Sequence, residues 1–206
     1  MKKALALFVI TICVLSCKNE GKKEYSDENT SETSTEEIST NSEISSPNTK
    51  LSNIDLAIEV ENFITCKKTA TERNDCRNSI TKTITKAFDL TEFSDPKLGY
   101  VIYDSIRPIV EDSKKWLQLG SINQESIDQA LAHTNRGGLS LIIDTAETYG
   151  HVVMIVPSDA KKSGSWDMKL PNVLSLSNYK PESSFSNKSL SYAMRKSDEL
   201  KIYVRQ

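Results

Sequence analysis

The sequence lacks the features that point directly to nucleic-acid binding or to a zinc site. Its 26 Lys and Arg residues stand against 28 Asp and Glu, a formal net charge of −2, and no basic helix or repeat is evident, which argues against nucleic-acid binding. The four cysteines and two histidines include no Cys-x-x-Cys spacing, which is too little for a zinc site. We therefore expect no metal, no cofactor and no nucleic-acid partner.

An apolar run long enough to span a bilayer is also lacking at the N-terminus, because residues 4–15 are too few for a transmembrane helix. Lys2 and Lys3 precede this run, and Val14-Leu15-Ser16-Cys17 ends it with a sequence that resembles a bacterial lipobox. We expect residues 1–17 to be a lipoprotein signal peptide that is cleaved before Cys17, whose sulfur then carries a lipid. The alternative is a plain signal peptide with an incidental cysteine. In the first case the protein is extracytoplasmic and anchored to a bacterial membrane.

Large apolar residues are scarce in residues 18–50, which consist mainly of Ser, Thr, Glu and Asn. Such a segment cannot bury enough surface to offset its conformational entropy, so it is predicted to be a disordered tether. Apolar residues at helical spacing begin near Leu51. We therefore expect residues 51–206 to form one folded domain.

The strongest strand signal is the apolar run 152–156, which follows Gly150-His151 and stops at Pro157. Its β-branched residues indicate a strand that is buried on both faces. His151 shares a face with Val153 and Ile155, because side chains alternate along a strand. His151 is then either an ordinary histidine at a strand end, bonded to backbone, or a functional residue at the mouth of a cleft.

Two helices are predicted upstream of this strand, the first over residues 51–67 and the second opening at Cys76. A thiol in the first turn of a helix meets unpaired backbone N–H groups and the positive end of the helix dipole, which both favour the thiolate. A thiolate near an imidazole is the minimum apparatus for acyl transfer. Cys76 and His151 are therefore the candidate catalytic pair.

The remaining pattern places helices before strands. Helical spacing covers residues 98–110 and 121–135, strands are predicted over residues 139–143, 173–177 and 200–204, and a short helix over residues 187–195. This order predicts an α+β fold in which N-terminal helices pack on a central antiparallel β-sheet.

Several short motifs, in this order, resemble the papain-like cysteine peptidases and amidases of the NlpC/P60 and CHAP group. They are Asn74-Asp75-Cys76 at a helix start, Trp116, Asn135-Arg136-Gly137-Gly138 before a strand, Gly150-His151-Val152-Val153, and Ser163-Gly164-Ser165-Trp166 with Pro171. The resemblance covers residues 51–206 and implies a papain-like, NlpC/P60-type fold. It also implies hydrolysis of amide bonds in peptidoglycan peptides.

Roles follow from the resemblance by position. Cys76 is the nucleophile, His151 the general base, and a polar residue on the next strand orients the imidazole. Asn172 is our choice for this third catalytic residue. The other candidates are Asn178, Ser175 and Asp167.

Two further residues belong to the same expected site. Asn74 helps to form the oxyanion pocket together with the Cys76 backbone N–H. Trp166 is either a platform on which substrate stacks or the lid of a small core. The family's usual residues after the cysteine are replaced here by Arg77-Asn78-Ser79, so the contacts to substrate near the nucleophile differ.

The sequence thus favours a monomeric, lipid-anchored cell-wall amidohydrolase that acts on peptidoglycan stem peptides. Two alternatives stay open. In the first, Cys66 and Cys76 form a disulfide in an oxidising compartment, which removes the nucleophile and leaves a non-catalytic cell-wall-binding or immunity-type lipoprotein. In the second, the same Cys and His serve an acyltransferase, for which a wide apolar tunnel beside Cys76 is expected.

Overall fold

The computed structural model describes residues 50–51, 53–72, 75–146 and 150–206. The predicted signal peptide, Cys17 and all of the predicted tether except Lys50 lie outside these residues. Four α-helices are present in the described part: α1 Leu56–Thr69, α2 Ser79–Phe88, α3 Ile106–Asp112 and α4 Gln124–Asn135. Three 3-10 helices span Tyr103–Ser105, Pro181–Ser183 and Leu190–Tyr192.

Twelve strands accompany these helices in the described residues. They are β1 Lys50–Leu51, β2 Ile54–Asp55, β3 Ser94–Asp95, β4 Gly99–Tyr100, β5 Trp116–Ser121, β6 Ser140–Asp144, β7 Val152–Ile155, β8 Lys161–Ser163, β9 Met168–Leu170, β10 Asn172–Ser175, β11 Phe185–Ser189 and β12 Leu200–Arg205. Six of them form one sheet in the order β11-β10-β7-β6-β12-β5. Every neighbouring pair in it is antiparallel. The α+β class and the antiparallel sheet are therefore confirmed.

The sheet separates two apolar clusters, and β7 contributes to both. Val153 and Ile155 pack with Ile127 of α4 on one face. Val152 and Met154 pack on the other face, against side chains of α1 and α2. The predicted strand that is buried on both faces is confirmed, and the side chains alternate as expected. We call the two sides the α4 face and the α1–α2 face.

Local side-chain contacts set the helix starts. Asp55 Oδ1 accepts a hydrogen bond from Ala57 N at 2.9 Å, so α1 begins at Leu56 and not near Leu51. At α4, Asn123 caps the helix and Ser126 returns a hydrogen bond to the Asn123 N–H. The helix predicted over residues 121–135 is thus confirmed with a slightly later start.

Other predicted elements are wrong in part. The segment 98–110 is not one helix, because it contains β4, a 3-10 helix and most of α3. Pro108 is accommodated in the first turn of α3. Trp116–Ser121 is an edge strand that pairs with β12. In place of a helix over residues 187–195, strand β11 runs to Ser189 and a 3-10 helix follows.

Candidate functional site

The position of His151 is fixed by strand pairing and by the glycine before it. The His151 carbonyl accepts a hydrogen bond from Asp144 N at 2.9 Å, which ties it to the end of β6. A Cβ atom on Gly150 would lie 1.6 Å from Asp144 O, so only glycine fits there. The Gly-His pair therefore places the imidazole at one end of the two central strands.

The His151 side chain is neutral near pH 7 and has a hydroxyl partner. Its Nε2 lies 2.9 Å from Ser175 Oγ on the neighbouring strand β10. Burial lowers the pKa of the imidazole, and the charge of Asp144 offsets this only in part. A neutral imidazole has one donor and one acceptor nitrogen, so His151 can exchange a proton or position a polar ligand.

The predicted third residue, Asn172, does not contact the imidazole in the structure. Its Nδ2 donates to Asn187 Oδ1 at 2.8 Å, across the pairing of β10 with β11. Ser175, one of the alternatives considered, takes the place beside His151. Asn172 is three residues earlier in the strand, so its side chain leaves from the opposite face of β10.

Cys76 does not carry a free thiol. It forms a disulfide with Cys66, with a Cα–Cα distance of 6.1 Å. It also lies outside the first turn of the helix, because α2 begins at Ser79, and its φ is +67°. The expected stabilisation of a thiolate by the helix N-terminus is therefore wrong, and the nucleophile assigned to Cys76 is absent while this disulfide is intact.

The contacts of Asp75 explain why the two cysteines meet. Asp75 Oδ2 accepts hydrogen bonds from the backbone N–H groups of Thr71 and Glu72 at 3.0 and 3.1 Å. Lys67 Nζ donates to the Asp75 carbonyl at 2.6 Å. These bonds hold Asp75 against the end of α1 and the residues that follow it. Asp75 thus brings Cys76 next to Cys66.

A cavity of about 300 Å³ lies at the end of the strands, and both the disulfide and the imidazole line it. Cys76 enters from the α1–α2 connector, His151 from the start of β7, and Phe63 and Ile80 from α1 and α2. Its volume is at the lower end of those of ligand pockets. Cys76 and His151, the two residues of the predicted pair, thus line the same cavity, with the Cys76 sulfur bonded to Cys66.

One wall of the cavity is held by a charged pair. Arg77 forms an ion pair with Asp104, and its guanidinium lies 5.1 Å from the centre of the Tyr103 ring. The Tyr103 N–H donates to the Arg77 carbonyl at 3.0 Å. Arg77, which departs from the pattern of the resembled family, thus fastens the Cys76 segment to the 3-10 helix before α3.

The other wall carries aromatic rings and an unused acceptor. Tyr179 and Tyr192 are 85% and 75% exposed, and both line the cavity. Asn178 Oδ1 is buried and has no hydrogen-bond partner among the described residues. Sequence reasoning named Asn178 only as a catalytic alternative and missed both tyrosines. The signal was the polar run Ser177-Asn178-Tyr179 directly after a buried strand.

Two other expected site residues lie elsewhere. Trp166 is 4% exposed and packs in the cluster on the α4 face, so it is not a platform on which substrate stacks. Lys196 Nζ donates to its carbonyl at 3.1 Å. Asn74, the expected oxyanion residue, lies outside the described residues.

The described residues contain neither a metal centre nor a membrane-spanning helix. No group of three or more His, Cys, Asp or Glu side chains there can hold a metal ion. Nor does any described helix combine the length and apolar character that a membrane span requires. A comparison with protein-family models finds no matching family, and a search of curated proteins finds no match for the chain.

Proposed function

We propose that the chain is a non-catalytic, lipid-anchored protein of the bacterial cell envelope that binds a cell-wall peptide in the cavity beside the disulfide. The single observation that carries this is that Cys76 is bonded to Cys66 while the cavity it lines remains open. An oxidised cysteine cannot attack a carbonyl. The open cavity is still available to a ligand.

The walls of the cavity suit a peptide. Tyr179 and Tyr192 offer aromatic surface with a polar end, which suits recognition of extended chains. Asn178 lines the cavity and its buried Oδ1 has no described hydrogen-bond partner, so a peptide N–H that reaches this atom supplies the missing donor. The residues lining the cavity include no carboxylate. A peptidoglycan stem peptide, with amide N–H groups and carboxylates, meets these requirements.

The papain-like scaffold and the location belong to the same proposal. The order of a helix, a cysteine segment, an antiparallel sheet and a histidine, with both residues on one cavity, supports a papain-like arrangement. Attachment through a lipid on Cys17 places the domain on the extracytoplasmic side of a membrane, where disulfides persist. The protein then acts there as a monomer.

Calorimetric titration of the full chain in detergent with an acetylated stem tetrapeptide tests the binding function. Asn178→Leu should lower the affinity about tenfold, because it removes the acceptor. The same substitution should leave the free protein equally stable or more stable, since a buried acceptor without a partner is lost. Lower affinity for the tetrapeptide without lower stability of the free protein is the combination expected of a residue that binds the ligand.

Asn172→Leu is the matched control. It breaks the hydrogen bond to Asn187, so it should lower stability slightly and leave tetrapeptide affinity unchanged. If the wild-type chain does not bind the tetrapeptide, or if the two variants bind it equally well, the proposed binding function is wrong.

A second candidate, the cysteine amidohydrolase, is favoured by one observation: Cys76 and His151 line the same cavity. Cys66 is exposed, so an external dithiol can attack its sulfur. This attack forms a mixed disulfide and releases Cys76 as a thiolate, and the second thiol of the reagent then frees Cys66. The dithiol is oxidised and the protein gains two thiols.

In the reduced state the chemistry is that of a cysteine hydrolase. His151 takes the proton of the Cys76 thiol as the sulfur attacks the amide carbonyl, and it then gives this proton to the leaving amine. A water molecule, deprotonated by His151, hydrolyses the resulting thioester. The acyltransferase alternative receives no such support, because it requires a wide apolar tunnel, whereas the cavity is small and its lining mixes apolar side chains with four serines and an asparagine.

Mass spectrometry of stem peptides incubated with Cys66→Ser separates the two candidates. This variant leaves Cys76 free without a reductant, so it should hydrolyse the peptide if the second candidate is right. Cys66→Ser/Cys76→Ser controls for loss of the disulfide alone. Intact peptide with Cys66→Ser, and with wild-type protein under a dithiol, leaves binding as the function.

A further inference from the structure

A second concavity of about 410 Å³ adjoins the cavity and has a different chemical character. It lies between the β8–β9 hairpin and the segment around the end of β11. We call it the lysine groove. Its lining comprises two lysines, four serines, a glycine and a tyrosine. The lysines are Lys161 and Lys162, and the serines are Ser163, Ser165, Ser189 and Ser191.

The serines of the groove form two hydroxyl pairs. Ser163 Oγ lies 3.2 Å from Ser165 Oγ, and Ser189 Oγ lies 3.3 Å from Ser191 Oγ. A pair of hydroxyls has two hydrogens, and the bond between them uses only one. Each pair therefore retains one O–H donor that a ligand oxygen can accept.

The charge of the groove is positive. Lys161 and Lys162 are exposed, and neither is in an ion pair with a described residue. No carboxylate is among the residues that line the groove, although the whole chain has a net charge of −2. Two ammonium groups with hydroxyl donors beside them suit an anionic oxygen group.

Tyr192 connects the groove with the cavity, because it lines both. Its ring is 75% exposed, so a chain-like ligand leaving the cavity can pass over it. Such a ligand would reach Lys161 and Lys162 next. The two concavities thus form one extended surface, with a peptide-binding part and a cationic part.

We propose that the lysine groove binds a carboxylate of the ligand whose peptide part occupies the cavity. This rests on the proposed binding function. The carboxylate belongs to the stem peptide itself. A phosphate-containing polymer of the envelope would present oxygens to the same lysines and hydroxyls without a peptide part, and the test separates the two.

The test is calorimetric titration of the full chain with three probes: the acetylated tetrapeptide with a free C-terminal carboxylate, its C-terminal amide, and a glycerol phosphate oligomer. The wild-type chain should bind the carboxylate form about fivefold to tenfold more tightly than the amide at low salt, and this preference should shrink at high salt. Lys161→Gln/Lys162→Gln should remove the preference and leave binding of the amide intact.

Lys82→Gln/Lys86→Gln on α2 is the matched control, because it removes the same charge at another place and should keep the preference. Equal binding of carboxylate and amide by the wild-type chain, with no binding of the oligomer, overturns the inference and leaves the proposed function standing. Binding of the oligomer alone, lost in Lys161→Gln/Lys162→Gln, assigns the groove to a phosphate polymer and overturns both this inference and the peptide function. If none of the three probes binds, both are wrong.

Discussion

The two faces of the same sheet are built for different purposes. On the α4 face, the buried hydroxyls of Thr134 and Ser140 are paired internally: Thr134 Oγ1 donates to Ser140 Oγ at 2.9 Å, and Ser140 Oγ donates to the Ala130 carbonyl at 3.0 Å. On the α1–α2 face the core is interrupted by a cavity, and a buried acceptor on Asn178 has no described partner. One face therefore supplies stability, and the other gives up part of it to keep a site open.

Matched truncations on the two faces should give the largest effect. Ile127 of α4 and Ile80 of α2 are 0% and 6% exposed, so Ile127→Ala and Ile80→Ala should each lower the free energy of unfolding by about 2–5 kcal/mol. Only Ile80 lines the cavity, so only Ile80→Ala should also change tetrapeptide affinity. Denaturant unfolding and calorimetric titration measure the two quantities.

Equal loss of affinity in both variants would contradict this division between the faces. Ile127→Val is a milder variant of the same residue that retains most of the packing. It keeps the comparison measurable if Ile127→Ala does not fold.

The parts of this architecture that the sequence predicts correctly are those set by local patterns. Strand β7 is a continuous apolar run that Pro157 ends, and α4 carries inward residues at steps of three and four. Both were located to within a few residues. Strand β5 was missed because it lies at the edge of the sheet, where apolar side chains such as Leu117 stay exposed (46%). Its pairing partner, β12, also lies about 80 residues later in the chain.

Residues of the site were likewise predicted correctly where a local sequence pattern defines them. His151 was identified because it precedes a strong strand signal and follows a glycine that the fold requires. The disulfide remained one of two alternatives, because its formation depends on the way Asp75 folds the connector, which spacing does not reveal. Asn172 was the wrong choice among four candidates for the partner of His151, which is Ser175, since a register shift of one position reverses which side chains share a face.

Reduction of the disulfide should give the next largest effect, and it should be confined to the α1–α2 face. Cys66 and Cys76 are ten positions apart, and a cross-link closing a loop of that size stabilises a protein by about 2–3 kcal/mol. Cys66→Ser/Cys76→Ser should lower the unfolding free energy by this amount, and a dithiol should do the same to the wild-type chain. Thermal unfolding with and without the dithiol measures it.

Native-state amide hydrogen exchange locates the change. Exchange should become faster in the α1–α2 connector and the last turn of α1, and it should stay unchanged in α4, which has its own core. Equally faster exchange in α4 would contradict the independence of the two faces.

The smallest expected effect is a pH dependence that originates at His151. Burial lowers the pKa of the folded-state imidazole below its usual value of about 6.5, so below that pH the unfolded chain binds more protons than the folded one. The free energy of unfolding should therefore fall as the pH is lowered from 7 to 5, by at most about 1.4 kcal/mol per pH unit for one proton. His151→Gln should remove this component. Denaturant midpoints between pH 5 and 8 measure it, and a slope that persists unchanged in His151→Gln would contradict its assignment to His151.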